Sequence, residues 1–374
     1  MNLLTLITDI EIYRSYSRKP IKIPAGDYLM HPKLARYIAE TYPFHAEKRD
    51  WDPLIAKVRE SDAGKKVLLI CPAGIGDTIF ALPTANHIRN VMGNKVTLAV
   101  AESMIPLIPS IYYDDIVAVE KLPFDFAMRH DRIIPFMWTL DPEHKSDQFH
   151  GAAELAGLPE GISLAKPQLR HFEPHPFSDR GWHELLQTNK LLPIAVLQYS
   201  ASSPVKSIPE VKLWAITEAL IADGYRVWIS DGRHNEGKID FLRLHCIESN
   251  RVTNFARMSQ DISDFAFLVS RADLVIAPDS AAVHLAGCYN VPCVGIFSPF
   301  PPKESTGMLY DSVKPVFVRD GCKYRNAETG GCYTYGLDPC KAAQEQGEDY
   351  SPCWDNLNVQ DVVDAYRSIT LDKK

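Results

Sequence analysis

Three loops carry residue types and spacings that can do chemistry. In Gly74-Ile75-Gly76-Asp77, two glycines precede a carboxylate. Glycine lets a ligand come close to the backbone, and a carboxylate beside it can either take a proton from a hydroxyl or cap the helix that follows. Both readings of Asp77 stand at this point. The stretch from Gln198 to Pro209 places Ser200, Ser202 and Lys206 among small residues, so it offers hydroxyl donors and one cation to a phosphate, or else forms an ordinary surface loop. The third loop, Asp279-Ser280-Ala281-Ala282-Val283-His284, opens a helix with small residues. Backbone N–H groups at such a tip hold a diphosphate, Asp279 can accept hydroxyls, and His284 is either a ligand contact or a packed structural residue. The glycine pair does not complete a dinucleotide fingerprint, because Ile79 holds the third glycine position and Asp77 would oppose a pyrophosphate.

Each loop follows an apolar run. Val67–Cys71 reads as a strand buried on both faces of a parallel sheet and precedes a helical pattern over Thr78–Met92, with further strands at Lys95–Val100 and Ile116–Val119. A helix is expected near Phe149–Ala156. A second series begins with a strand at Ile194–Leu197 and a helix at Glu210–Asp223 closed by Gly224. A strand at Arg226–Ser230 and helices at Ile239–Glu248 and Ile262–Arg271 come next. Strands at Leu274–Ala277 and Cys293–Phe297 flank a helix at Ala281–Cys288. Alternation of this kind implies right-handed βαβ units, with ligands held at the carboxyl ends of the strands. Residues 1–65 read as a polar extension with helices near Pro32–Glu40 and Pro53–Glu60, residues 66–185 as one Rossmann-like domain, and residues 190–374 as a second.

With 374 residues, 46% hydrophobic and 23% charged, the chain can bury two cores. A net charge of -7 argues against nucleic acid as the main partner. The basic group Arg14, Arg18, Lys19 and Lys22 is a solvated face or a contact for anionic lipid. No apolar run is long enough to span a bilayer and Met1–Ile12 makes a poor signal peptide, so a cytoplasmic location is expected, including the inner face of the cell membrane.

Taken in order, these segments resemble glycosyltransferase family 9, the heptosyltransferases. The resemblance spans roughly residues 66–370 and rests on Gly74-Ile75-Gly76-Asp77 with Ala81-Leu82-Pro83, Lys206-Ser207-Ile208-Pro209 followed by Trp214, and Gly232-Arg233-His234-Asn235-Glu236. Asp279–Ala286, Val291-Pro292 and Phe297-Ser298-Pro299 complete it, while Ala281 stands where the family usually has glycine and Ile208 where it has an aromatic residue. The resemblance implies an α/β chain of GT-B fold, two Rossmann-like domains facing across a cleft, with an N-terminal extension and a cysteine-containing C-terminal segment. It implies inverting, metal-independent transfer of a heptose-like sugar from a nucleotide-diphosphate donor, an ADP-sugar by family preference. The acceptor would be a hydroxyl of a glycan or lipid-linked molecule such as lipopolysaccharide core. Asp77 would be the general base, with Gly74 and Gly76 in the acceptor loop. Ser200, Ser202, Lys206, Ser280 and Ala281 would hold the diphosphate, Glu236 the ribose, and Asp279 and His284 the sugar or phosphates. The sequence offers no Asp-x-Asp motif suited to a catalytic divalent metal. A non-catalytic sugar-nucleotide-binding protein and a GT-B-fold nucleotide-sugar epimerase are the alternatives.

Cys322, Cys332, Cys340 and Cys353 crowd the segment 320–355. Four thiolates can bind a structural zinc or iron, although no Cys-x-x-Cys pair is present, and free thiols or disulfides are the other readings.

Overall fold

The computed structural model describes residues 2–6, 10–12, 21–23, 25–30, 46–50, 63–71, 74–136, 147–171, 192–201, 204–231, 236–257, 261–306, 309–319, 322–326, 331–332, 340–348 and 350–370. Both helices expected in the N-terminal extension lie outside these residues. The chain forms two compact units, Met1–Arg170 and His171–Lys374.

The first unit begins with short strands within the segment read as a polar extension. β1 (Asn2–Leu6) pairs antiparallel with β4 (Gly26–Met30) and β5 (Ala46–Asp50), while β2 (Ile10–Ile12) pairs with β3 (Ile21–Ile23). β5, Ala-Glu-Lys-Arg-Asp, has no apolar alternation of its own. Its pairing with β1 makes it a strand, and that is a non-local cause that no window of sequence contains. Tyr28, buried on β4, bridges to Pro123 and joins this sheet to the α/β part of the unit.

That α/β part is a parallel sheet of β6 (Lys66–Ile70), β7 (Lys95–Val100), β8 (Asp115–Ala118) and β9 (Arg132–Pro135), ordered β8-β7-β6-β9. The helix α1 (Ile75–Asn90) begins three residues before the expected start, which puts Asp77 inside its first turn. Residues Thr78–Ala85 are all buried, and Phe80 meets Phe149 of the later helix Gln148–Leu155 edge to face at 4.8 Å. A helix covered on so many sides has no polar face to reveal its period.

The second unit is a six-stranded parallel sheet in the order β12-β11-β10-β13-β14-β15. Its strands are β10 (Ile194–Gln198), β11 (Arg226–Ser230), β12 (Val252–Asn254), β13 (Leu274–Pro278), β14 (Cys293–Phe297) and β15 (Val313–Phe317). Counted from β10, the order is 3-2-1-4-5-6, the doubly wound arrangement. β13 and β14 are buried at every residue, as their unbroken apolar runs require. Arg367 of the final helix Val359–Thr370 forks onto Asp223 at 2.8 Å through both Nε and Nη2, and Tyr366 donates to the same carboxylate at 2.7 Å. This fixes the last helix against the end of the helix Glu210–Ala222.

In a doubly wound sheet the chain winds outward in both directions from one pair of neighbouring strands. The loops leaving the carboxyl ends of that pair diverge and open a crevice. In the second unit the pair is β10 and β13, whose following loops carry Lys206 and Asp279. In the first unit it is β6 and β9, and the loop after β6 carries Asp77.

Candidate active site

Asp77 occupies the first turn of α1, where unpaired backbone N–H groups give the helix its positive end and favour an ionised carboxylate. It is not the capping residue. Gly74 holds that position, with no side-chain cap. The Thr78 hydroxyl folds back onto the Gly74 carbonyl at 2.9 Å. A Cβ placed on Gly74 would run into Oδ2 of Asp77. A side chain at 74 would therefore displace the Asp77 carboxylate, while the Gly74 backbone itself is in the ordinary extended region. Burial first, and then the Asp77 charge, pushes the neighbouring Cys71 thiol up, so Cys71 remains protonated.

In the second unit the crevice loops converge on one ion pair. Lys206 closes the short turn Pro204–Lys206, and its Nζ lies 2.8 Å from Oδ2 of Asp279, with both side chains largely buried. Ser305 donates to the other oxygen of Asp279 at 2.9 Å, and the Phe300 ring lies 5.4 Å from the Lys206 ammonium. Burial would raise the Asp279 pKa. The Lys206 charge and hydrogen bond, joined by His284 and Ser305, outweigh it and hold the carboxyl below its usual range. An ammonium has three N–H donors, so Lys206 keeps donors beyond the one it gives Asp279.

Asp279 leads into the helix α7 (Ala281–Tyr289), whose capping residue Ser280 makes no side-chain cap bond. The Ser280 hydroxyl is buried with no hydrogen-bond partner among the described residues. A helix tip with its N–H groups facing a crevice suits an anion. His284, in the first turn, is buried and packs edge-on to Tyr310 at 6.0 Å. Tyr310 lies directly against Gly287, where any Cβ would enter its ring.

Burial pushes the His284 pKa down to about 4, with Asp279 raising and Lys206 lowering it, so the imidazole is neutral at pH 7. An unfolded histidine begins to bind a proton below about pH 6.5, whereas the folded one resists until about pH 4. Stability from this group is therefore complete above pH 6.5 and falls as the pH drops toward 4, by up to about 1.4 kcal/mol per pH unit. Melting temperatures measured from pH 7 to 4 should show a shallower slope for His284→Gln than for wild type; parallel slopes would contradict this. Loss through Asp279 lies lower, below its ordinary carboxyl value, because its folded pKa is depressed.

Ser200 joins a different group. It donates to Oδ1 of Asp231 at 3.0 Å, while Ser230 donates to Gln198, and the Gln198 amide donates to the Ser200 carbonyl. Its single proton is thus committed to Asp231, leaving its oxygen to accept from a ligand. Ser202 and the side chain of Glu236 lie outside the described residues, although the helix Glu236–His245 begins at Glu236. Asp231, Ser305 and Phe300 were not anticipated. Asp231 directly follows a legible strand and could have been flagged by position, whereas Ser305 lies 26 residues from its partner with no periodic signal.

The four C-terminal cysteines come together. Cys322, Cys332, Cys340 and Cys353 line one cavity of about 20 Å³ with Val205, Ser298, Arg325 and Ser351. All are free thiols. Among the described residues no three His, Cys, Asp or Glu side chains stand close enough to hold a metal ion. None of the described helices is long and apolar enough to cross a membrane.

Comparison with known proteins gives one family match and several similar folds. Residues 161–329 match the model of glycosyltransferase family 9 (heptosyltransferase), a segment that includes Lys206, Asp279 and His284 but not Asp77. No curated protein matches the chain. Among solved structures, the Escherichia coli ADP-heptose lps heptosyltransferase II superposes with a TM-score of 0.58 at 16% identity, covering 82% of this chain and 99% of that one. A family 9 glycosyl transferase from Veillonella parvula gives 0.60 at 12% identity, over 83% and 98%. The iron-containing dodecameric glycosyltransferase TibC of enterotoxigenic E. coli gives 0.57 at 14% identity, over 85% and 81%. These identities speak for the fold, which is that of the GT-B heptosyltransferases. This chain is thus similar to the family 9 heptosyltransferases over residues 161–329 and in its fold.

Proposed function

We propose that the chain is an inverting glycosyltransferase. It moves a heptose-like sugar from an ADP-linked donor to a hydroxyl of a glycan such as lipopolysaccharide core, without a catalytic metal. The observation that carries this reading is the buried Lys206–Asp279 pair at the switch point of the second sheet, beside the tip of α7. Support for the donor comes from the family match and from the E. coli relative, which is named for ADP-heptose and lps.

In the proposed step the acceptor oxygen attacks the anomeric carbon while its proton passes to Asp77. A new carbon–oxygen bond forms, the bond to the diphosphate breaks, and the electron pair leaves with the nucleotide. The departing charge meets Lys206 and the N–H groups of α7, fixed donors that need no rearrangement as the charge develops. Asp279 keeps Lys206 oriented and is itself available to sugar hydroxyls. Ser200, with its proton on Asp231, faces groups that donate, such as nucleoside hydroxyls, and Glu236 belongs to the same end of the donor. A membrane-held acceptor would bring the protein to the inner face of the membrane, with the basic residues Arg14, Arg18, Lys19 and Lys22 as its contact. Of these, Arg14, Arg18 and Lys19 lie outside the described residues.

The test is turnover of ADP-heptose at high enzyme concentration, with water as acceptor, followed by proton NMR before the free sugar equilibrates. The first-formed anomer should be opposite in configuration to the donor. Retention would overturn the single displacement, and failure to turn over or bind any nucleotide-sugar would overturn the function.

A structural metal at Cys322, Cys332, Cys340 and Cys353 is proposed alongside, because all four cysteines line one cavity. The space is that of roughly one water molecule, and the thiols would have to draw together around the ion. A set of four thiolates suits zinc or iron. The related TibC structure is described as iron-containing. Protein purified without chelator should carry close to one equivalent of zinc or iron by elemental analysis and keep its turnover in EDTA. Absence of stoichiometric metal would remove this part of the proposal.

A further inference from the structure

The cysteine cavity and the Lys206–Asp279 pair share a wall. Val205, the residue before Lys206, lines the cavity, is buried, and packs against Cys340 and Ala343. Its carbonyl accepts the indole N–H of Trp354 at 3.0 Å, and Trp354 is fully buried. On the other side, Cys353 Sγ lies 3.0 Å from the Ser298 hydroxyl. Arg325 donates to the Ser298 carbonyl at 2.7 Å and to its hydroxyl at 3.1 Å, and the Cys332 N–H donates to the Pro299 carbonyl at 2.5 Å. The next residue, Phe300, faces the Lys206 ammonium. Lys206 is therefore held from both ends by segments anchored on the cavity.

We infer that Trp354 is a positioning residue for Lys206, and that through it the cysteine lobe sets the donor affinity of the site. The inference rests on the reading of Lys206 as a diphosphate contact. A buried side chain that merely filled space could be any large apolar residue. Trp354 also supplies a donor, and the acceptor it serves is the carbonyl one residue before the catalytic lysine. The turn Pro204–Lys206 is a single short helical turn, which has little internal hydrogen bonding to fix it. Without the indole N–H, the buried Val205 carbonyl must find another partner, and the turn is free to move to meet one. A shift of that turn moves the base of Lys206 relative to Asp279, so the consequence appears in nucleotide binding rather than only in stability.

The experiment is calorimetric titration of ADP into wild type, Trp354→Phe, Lys206→Met and the double variant, with the melting temperature of each. A fifth protein carries benzothienylalanine at 354, which keeps the indole shape without the N–H. It serves where phenylalanine disturbs folding. Loss of one buried hydrogen bond should weaken ADP by about five- to tenfold in either 354 variant. In the Lys206→Met background the same change should add less than about twofold, because the two act as a unit. A lowered melting temperature with unchanged ADP affinity would overturn the inference, leaving Trp354 a core residue. Additive losses in both backgrounds would overturn it as well, since Trp354 would then act without Lys206. If Lys206→Met binds ADP as tightly as wild type, the underlying reading fails and this inference falls with it. If Lys206→Met alone weakens ADP, the failure belongs to Trp354.

Discussion

Asp77→Asn should lower turnover by about 10²- to 10⁴-fold, the range for loss of a general base, and leave ADP affinity within about twofold of wild type. Asparagine keeps the size and the neutral hydrogen-bonding surface of the side chain but cannot take a proton. Asp77 lies in the first turn of α1 while Gly74 holds the capping position. If its contribution were only to the helix end, the substitution would cost about 0.3–1 kcal/mol of stability and leave turnover intact. Single-turnover release of ADP from ADP-heptose separates the outcomes. The arrangement also explains Gly74: the carboxylate lies where any side chain at 74 would go.

Lys206→Met should be costly in two separable ways. Removing one partner of a buried ion pair leaves the other charged and poorly solvated, with a loss of about 3–5 kcal/mol of stability. Of the two side chains that hydrogen-bond to Asp279 among the described residues, only Ser305 would remain. ADP affinity should also fall, by roughly 10- to 100-fold for lost charge-assisted hydrogen bonds to the diphosphate. The double variant Lys206→Met with Asp279→Asn distinguishes the two effects. It removes the orphaned charge and should recover most of the stability by denaturant melting, yet ADP binding should stay weak. Recovery of both would mean that Lys206 serves Asp279 alone, and recovery of neither would mean that the pair is more than a matched charge.

The parts of this fold that sequence reveals are those whose burial is uniform. β7, β11 and β14 fall where their apolar runs end because, in the interior of a parallel sheet, both faces demand hydrophobic residues. Edge positions give no such signal. β15 is Val-Lys-Pro-Val-Phe, with Pro315 in register with Gly295, a residue tolerated in a strand only where one side needs no N–H donor. β12 has three residues and β9 ends in Pro135, so neither offers an apolar run long enough to read as a strand. The site divides in the same way. Lys206, Asp279 and His284 are legible because a helix tip and a small-residue loop mark the ends of central strands. Their supports are not legible. Ser305, Phe300 and Trp354 reach the pair across 26, 94 and 149 residues of chain, counted from Asp279, Lys206 and Val205 respectively, through packing that only the folded sheet creates. Ser200 shows the remaining limit, since its partner Asp231 decides whether the hydroxyl gives or receives a proton.

The division of labour between Asp77 and the Lys206–Asp279 pair is tested most directly by equilibrium titration of ADP into wild type, Asp77→Asn and Lys206→Met. Wild type and Asp77→Asn should bind ADP alike, and Lys206→Met should bind it at least about tenfold more weakly. An Asp77→Asn protein that loses ADP binding while Lys206→Met retains it would contradict the assignment of the donor to the second unit and of the base to the first.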